Sequence, residues 1–235
     1  MGAGLFGKLP AKRDFVAANA PRQFLETWEP WLQAGVATSK QALAGGWVES
    51  YNRAPIWRYW LGADFCGEAL IGAFMPSVDG VGRAFPLSVF VGEGEEALPP
   101  PEIDDNESWC EAAETLLLFA LDAGATFEAV TERLAALPSP ALRPRSQTKA
   151  GFRELTDGGM LIEATDCDVS ASFRDAGRLG FRRAFASRSF WWTIGGEGFA
   201  PRAVAYVGLP PATRFTDFLT GTFAEATPER SWGPT

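Results

Sequence analysis

Histidine is missing from this chain of 235 residues. Its absence excludes Ser-His-Asp and Cys-His nucleophile systems, HExxH metal sites and general bases built on imidazole. An enzyme made from this sequence would have to use carboxylates, lysine, arginine, serine or tyrosine. The composition therefore favours a binding protein, and it predicts neither catalytic residues nor a cofactor.

Cysteine is scarce, with three thiols at Cys66, Cys110 and Cys167. The number is odd, the positions are far apart and no CxxC pair occurs, so the sequence indicates neither a disulfide framework nor a zinc knuckle. We expect all three cysteines to be small core residues, and we predict no metal site from them.

Long apolar runs and excess positive charge are also missing. No window reaches the ~20 apolar residues of a transmembrane helix, and the N-terminal stretch MGAGLFGKLPAKRDF lacks the apolar core of a signal peptide. A formal net charge of −8 argues against nucleic acid and acidic membrane surfaces as partners, because both are bound through lysine and arginine. With 46% hydrophobic and 21% charged residues, the sequence predicts a soluble, globular, cytoplasmic protein that does not insert into a membrane.

Apolar segments with β-branched and aromatic residues indicate strands, and apolar residues spaced three and four apart indicate helices. Pro30 is expected to kink or divide the first helix, a capping box of Ser108 and Glu111 opens the second, and Thr126 caps the third. The predicted strands are 4–9, 56–61, 70–75, 85–91, 160–164, 169–173, 189–194 and 203–209, and the predicted helices are 21–43, 108–124, 126–138 and 213–219.

Strands precede and follow a central pair of helices, without strict strand–helix alternation. This order predicts an α/β fold, a mixed sheet with helices on both faces that resembles an α/β/α sandwich, in one domain over residues 1–225. Residues 226–235 are expected to fray. The segment 138–159 carries four of the chain's cations, which indicates a solvated loop or, alternatively, a contact with an acidic partner: Arg143, Arg145, Lys149 and Arg153.

The segment AFMPSVDGVGRAFPLSVF contains turn-forming and charged residues between two predicted strands. Gly80 and Gly82 can adopt φ > 0, so the loop has a specified shape. Asp79 and Arg83 lie four residues apart beside Ser77. Either Asp79 accepts hydrogen bonds within its own turn and Arg83 bridges back to it, or Arg83 projects toward an anion or a partner protein. The first interpretation is favoured, because turn carboxylates usually serve their own turn.

Two other segments carry candidate residues. Asp14 follows Lys12 and Arg13, which favours an ion-paired loop residue over a metal or acid/base role. Arg58 lies in WVESYNRAPIWRYW, where arginine and aromatic residues are interleaved. Such interleaving can indicate base stacking or sugar binding, but we expect most of these rings to pack inside.

Several motifs together resemble the TagF family, also called ImpM, of bacterial type VI secretion gene clusters. The resemblance implies a cytoplasmic accessory protein with an α/β sandwich fold, and it supplies no catalytic residues. It further implies post-translational repression of secretion through the forkhead-associated scaffold protein of the system, separately from its threonine kinase and phosphatase. The motifs are GLFGKLP, the DF pair Asp14 and Phe15, the pair Trp31 and Leu32, APIWRYWL, MPSVDGVGRAFPL, SFWWTIGG, and GLPP followed by Phe215.

One position departs from the family pattern. Arg13 stands where the family usually has glycine before the DF pair. If that glycine supplies φ > 0, the first loop of this chain must differ or be strained.

Three hypotheses follow. The leading one is a regulatory binding protein whose candidate contacts with its partner are Arg83, Asp79, Ser77, Arg58 and Asp14. The second is a metal-dependent hydrolase or phosphotransfer enzyme, because oxygen ligands hold divalent ions without histidine; its candidates are Asp14, Asp64 and Asp79, although no DxD motif occurs. The third is a structural subunit, which requires an exposed surface formed by Trp28, Trp31, Trp57 and Trp60.

Overall fold

The computed structural model of the chain describes residues 2–142, 151–154, 156, 160–163, 180 and 183–223. Short 3-10 turns occur at Ala44–Gly46, Ala63–Phe65 and Ala212–Arg214. The strands are β1 Gly4–Lys8, β2 Phe15–Ala18, β3 Trp57–Leu61, β4 Leu70–Met75, β5 Leu87–Gly92, β6 Gly151–Glu154, β7 Met160–Glu163, β8 Arg188–Thr193 and β9 Arg202–Val207. The helices are α1 Arg22–Leu43, α2 Trp47–Arg53, α3 Glu107–Ala120, α4 Phe127–Ala135 and α5 Phe215–Thr220.

Seven strands form one open sheet in the order β2-β1-β5-β4-β3-β8-β9, and β6 pairs with β7 in a separate hairpin. All the ladders among the described strands are antiparallel. The predicted α/β class, with a sheet between helices, is confirmed. A mixed sheet was expected, but the described strands contain no parallel pair. Strands β3, β4 and β5 follow one another in the chain and also lie side by side in the sheet, so short connections join them as antiparallel neighbours.

The sheet separates two hydrophobic clusters, because successive side chains of a strand point to opposite faces. On β4, Leu70 and Phe74 pack in a cluster with residues of α1, α2 and α5, whereas Ile71 and Ala73 pack in a cluster with residues of α3 and α4. All six positions of β4 are buried. The apolar run of this strand, which lacks alternation with polar residues, therefore results from helices on both sides of the sheet.

Helix α1 runs unbroken through Pro30, so of the two predicted effects, a kink or a division of the helix, the division does not occur. Proline removes one backbone hydrogen bond. The aromatic residues of the buried face offset this loss: the Trp28 indole donates to Ser88 Oγ at 3.0 Å, and the Trp31 indole donates to the Pro210 carbonyl at 2.8 Å.

The tryptophans that the structural-subunit hypothesis needs on the surface lie in the core. Trp28 and Trp57 are almost completely buried, and Trp31 and Trp60 are buried as well. Trp28, Trp31 and Trp191 form a connected group of rings, with centroid separations of 4.8 to 5.9 Å. The exposed tryptophan surface on which that hypothesis depended is absent at these four positions.

Helix α3 begins at Glu107 with Asn106 as its N-cap residue, so Ser108 lies inside the first turn and the predicted capping box is wrong. The predicted cap at Thr126 is confirmed, since its Oγ1 accepts from the Ala129 N–H at 3.1 Å. Cys66 and Cys110 are buried and unbonded to each other, as expected, and burial raises the pKa of both thiols to about 12.

Among the strands and helices named above, β2, α2 and β6 were not predicted. Strand β6 lies inside the segment 138–159 that was expected to be a solvated loop. The rest of that segment between 143 and 150, the predicted strand 169–173, Cys167 and the tail 226–235 lie outside the described residues. No helix in the described part of the chain is both long and apolar enough to span a membrane.

Candidate functional site

The loop between β4 and β5 has a closed backbone geometry. Its two arms are joined by an isolated β-bridge between Val78 and Ala84, and the Asp79 N–H donates to the Arg83 carbonyl at 3.1 Å. The Gly82 N–H then donates to the Asp79 carbonyl at 2.9 Å. Gly82 has φ +85°, which is the left-handed conformation expected for it. The loop is therefore a short, tightly hydrogen-bonded turn.

Asp79 is the centre of this turn. Its Oδ1 accepts from the backbone N–H groups of Val81 and Arg83, at 3.1 and 2.9 Å. Its Oδ2 lies 2.9 Å from Lys8 Nζ and 2.7 Å from Arg83 Nε. Burial by itself would raise the pKa of Asp79, but the hydrogen bonds from Arg83, Lys8 and Val81 outweigh it and hold the pKa well below its usual range.

Ser77 is buried and its polar atoms are used inside the protein. Its hydroxyl donates to the Lys8 carbonyl at 2.8 Å, and its backbone N–H and carbonyl both bond to the Tyr51 hydroxyl, at 3.1 and 3.0 Å. Burial raises the pKa of Tyr51 well above its usual value, although the hydrogen bond to Ser77 works against the shift. The geometry therefore gives Ser77 and Tyr51 a supporting role beneath the loop.

Arg83 joins the loop to the segment that precedes β2. Its side chain is 60% exposed, its Nη2 donates to the Arg13 carbonyl, and the same atom lies 3.8 Å from Asp14 Oδ1. The Gly80 N–H also donates to the Lys12 carbonyl, at 2.7 Å. Arg13 does not adopt a positive φ. Its replacement of the family glycine therefore causes no backbone strain here.

Two apolar side chains lie beside these charges on the surface. Val81 is 57% exposed at the tip of the loop, and Phe15 is 46% exposed. The ring of Phe15 packs edge-on against Phe85, with centroids 4.8 Å apart. We call the surface formed by Asp14, Phe15, Val81 and Arg83 the loop platform. Phe15 and Val81 were not among the predicted contact residues, although the position of Val81 between the turn glycines Gly80 and Gly82 already indicated an apolar side chain in the loop itself.

Arg58 is found in a different part of the fold. It is fully buried on β3, and its Nη1 and Nε lie 2.6 Å from Glu107 and Glu114 of α3 respectively. Burial works against the guanidinium charge, but the two carboxylates outweigh it and raise the pKa of Arg58. Of the five predicted contact residues, Ser77, Asp79, Arg83 and Asp14 are thus brought together, whereas Arg58 is not part of that group.

The carboxylates proposed for a metal site do not form one within the described residues. Asp79 is committed to Lys8 and Arg83, Asp14 is almost fully exposed, and Asp64 is an exposed residue of the Ala63–Phe65 turn. No group of three or more carboxylate or cysteine side chains suited to a metal ion occurs in that part of the chain.

Comparison with known proteins identifies the family. The family model described as "TagF N-terminal domain, Type VI secretion system-associated" matches residues 4–137, which is more than half of the chain. This chain belongs to the TagF family. It is also similar to PA0076 from Pseudomonas aeruginosa PAO1, a solved crystal structure, with 33% sequence identity and a TM-score of 0.76 over 99% of this chain and 100% of that one. A search of curated proteins finds no match.

The TagF match covers both the loop platform and Arg58. It extends from the first residue of β1 to two residues beyond the end of α4. The chain is therefore an accessory protein associated with type VI secretion, as the resemblance implied.

Proposed function

We propose that this TagF protein represses type VI secretion after translation, by binding the forkhead-associated scaffold protein of the system through its loop platform. It does so as a cytoplasmic protein without catalysis. The observation that carries the proposal is the position of Arg83, whose guanidinium is exposed yet anchored at Nε by the buried carboxylate of Asp79.

An anchored arginine is suited to partner recognition. Ordering a long side chain on binding costs about 0.5–1.5 kcal/mol, and the Asp79 contact reduces that cost because Arg83 is already held. Arginine is also enriched at interface hot spots, where its planar fork binds carboxylates and phosphates. The remaining N–H groups of Arg83 are available for such an acceptor on the partner.

The apolar members of the platform complete this surface. Val81 and Phe15 expose hydrophobic area next to Arg83, and interfaces commonly place a buried apolar centre within a polar rim. Asp79 and Ser77 hold the loop from beneath and are positioning residues for the contact. Asp14 is a rim residue, since it is exposed and lies 3.8 Å from Arg83.

The proposal is tested in cells that carry the secretion gene cluster of this protein. Overproduction of the wild-type chain is expected to reduce secretion of a system substrate without changing the amount of the scaffold protein, and the tagged chain is expected to co-purify with the scaffold. Arg83→Ala should relieve the repression and weaken the co-purification. Arg22→Ala, which removes an exposed arginine on α1, is the matched control and should behave as wild type. Unchanged secretion under wild-type overproduction would contradict the proposal.

A further inference from the structure

The seven-stranded sheet ends in two different edge strands, β2 and β9. Strand β2 has four residues and is followed directly by Asn19, whose φ of +49° ends the extended backbone. Strand β9 has six residues, Arg202–Val207, and contains neither a proline nor a positive φ. A regular edge strand of this kind presents unpaired N–H and carbonyl groups with which another strand can pair. Strand β9 is therefore the more open of the two edges.

The hydrogen bonds around β8 show which residues of β9 face the edge. In an antiparallel ladder, residues that bond to a given neighbour alternate with residues that point away from it. The Gly208 N–H donates to the Ser187 carbonyl at 2.8 Å, and the Gly62 N–H donates to the Arg188 carbonyl at 2.9 Å. Ser187 thus bonds toward β9 and Arg188 toward β3, which fixes the alternation along β8. In the register of β8 with β9, the even-numbered residues of β9 bond to β8 and the odd-numbered ones point outward.

Ala203, Ala205 and Val207 are the outward-facing residues. Within the described part of the chain, β9 pairs with β8 alone, and none of these three residues has a backbone hydrogen bond on its outer side. Their side chains are exposed, and Val207, at 73%, is the most exposed large hydrophobic residue of that part. The edge of β9 thus combines free backbone groups with apolar side chains, which is typical of a strand that pairs with another chain.

A second copy of the same chain fits this edge. Two-fold symmetry brings identical strands together in antiparallel orientation, and an axis at Ala205 pairs Ala203 of each copy with Val207 of the other. Each outward N–H then meets an outward carbonyl of the other copy. Every free backbone group on the edge of β9 is therefore used.

The registers next to this one lose hydrogen bonds. An axis at Val204 would place Val207 opposite Pro201, which has no N–H group. An axis at Tyr206 would extend the pairing past Gly208, where a φ of +86° ends the extended backbone. The backbone therefore favours the register described above.

This register also opposes compatible side chains. On one face Val204 lies opposite Tyr206 of the second copy, and cross-strand pairs of β-branched and aromatic residues stabilise antiparallel strands. On the other face Val207 lies opposite Ala203 of the second copy, which removes part of the exposed valine from water. The pairing is thus favourable on both faces of the joined sheet.

The charge on the edge is compatible with a second copy as well. Arg202 is the one charged residue of β9, and in this register it lies opposite Gly208 of the second copy. Its diagonal neighbour is Tyr206 of that copy, which is within reach of a long side chain. A guanidinium beside a tyrosine ring forms a favourable cation–π contact. The two arginines lie at opposite ends of the joint, so the pairing brings no like charges together.

We propose that β9 is a dimerisation edge, through which two copies of this chain join their sheets by antiparallel pairing of β9 about a two-fold axis at Ala205. Strand β2, which begins with Phe15 of the loop platform, is the opposite edge of the sheet. The joint therefore leaves the loop platform free, and the proposal does not depend on the function proposed above.

Sedimentation equilibrium of the full chain tests the dimer. A single strand pair buries less than the ~1,600 Å² of a standard interface, so we expect a reversible dimer with a Kd of about 10–100 μM. The chain should change from monomer to dimer between about 1 and 500 μM. In NMR hydrogen exchange over the same range, the amides of Ala203, Ala205 and Val207 should become protected, whereas that of Tyr206 should be protected throughout.

A charge swap at the axis tests the register. Ala205→Lys and Ala205→Glu each place like charges opposite each other across the joint, so each variant alone should dimerise with a Kd at least about tenfold higher than wild type. An equimolar mixture of the two variants should dimerise at least as well as wild type, because opposite charges then face each other. Leu118→Lys, at an exposed position of α3, is the matched control and should dimerise like wild type.

Three results would each overturn the proposal, provided that every chain is shown to be folded by its melting curve. The first is a wild-type chain that stays monomeric up to about 500 μM, which would leave the edge to a strand of a different protein. The second is wild-type association of Ala205→Lys. The third is a mixture of the two charged variants that does not associate.

Discussion

Lys8 and Asp79 form an ion pair that is almost sealed from solvent, with Nζ and Oδ2 2.9 Å apart and side-chain exposures of 9% and 0%. Lys8 ends β1, whereas Asp79 lies in the loop between β4 and β5. The pair therefore ties the loop to a strand that is distant in sequence. Arg83 shares the same carboxylate oxygen, so the exposed arginine of the loop platform is held by a buried charge.

The first prediction concerns pH. The pKa of Asp79 is lower in the folded than in the unfolded chain, so its charge stabilises the fold above the unfolded pKa of about 4, and this contribution is lost as pH falls toward the folded pKa. Asp79→Asn should lower the melting temperature at pH 7 by more than Arg83→Ala does, because it leaves Lys8 without its carboxylate. The difference from wild type should shrink as the pH is lowered from about 5 to 2.

Asp64→Asn is the matched control for this prediction, since Asp64 is an exposed turn residue. Thermal unfolding followed by circular dichroism across the pH range provides the measurement. A constant difference between wild type and Asp79→Asn at all pH values would contradict the assigned role of the carboxylate.

The second prediction concerns the packing of α1 on α5. A Cβ added at Gly35 would lie 2.6 Å from ring atoms of Phe215, whereas one added at Gly45 would meet nothing within 4 Å. Gly35→Ala should therefore destabilise the protein by about 1–3 kcal/mol. Gly45→Ala should change stability by less than about 1 kcal/mol. Urea unfolding measures both values, and equal effects would show that this close helix contact is not formed.

The third prediction separates the two carboxylates that bind Arg58. Glu114 is largely shielded, whereas Glu107 is 47% exposed. Glu114→Gln should lower the free energy of unfolding by roughly 1–3 kcal/mol, and Glu107→Gln by less than about 1 kcal/mol. Glu111→Gln, an exposed position of the same helix, is the control. A larger loss for Glu107→Gln than for Glu114→Gln would reverse this assignment.

The fourth prediction addresses the metal-dependent alternative. An ion that binds only the folded state must raise the melting temperature. Because Asp79 is already bonded to Lys8 and Arg83, we expect millimolar Mg²⁺ or Mn²⁺ to cause no such increase. A concentration-dependent increase that is lost in Asp14→Asn would support a metal site near Arg83.

Local patterns in the sequence predicted most of the fold. The predicted strands 70–75 and 85–91 correspond to β4 and β5. Both were recognised from continuous apolar runs, which are typical of strands buried on both faces. Strand β2 was missed because it is a four-residue edge strand with alternating burial. Helix α2 was missed because its tryptophan and tyrosine were interpreted only as members of an aromatic-rich segment and not as a helical pattern. The N-cap of helix α3 was predicted at Ser108, two residues after its position at Asn106, because Asn106 provides an N-cap without a side-chain bond.

The candidate site was predictable only where its interactions are local. The hydrogen bonds from Val81 and Arg83 to Asp79 follow from turn chemistry, and they were expected. The contribution of Lys8 depends on the pairing of β1 with β5, which no local pattern indicates. Arg58 was grouped with the other candidates from its aromatic neighbours, but sheet register places it against Glu107 and Glu114 instead.

The most direct test is the affinity of the purified chain for the purified forkhead-associated scaffold protein, measured by isothermal titration calorimetry. Arg83→Ala and Val81→Ser, each shown to be folded by its melting curve, should bind with a Kd at least roughly tenfold higher than wild type, whereas Arg22→Ala should match wild type. Wild-type affinity in both platform variants, or no binding of the wild-type chain at all, would contradict the proposed role of the loop platform.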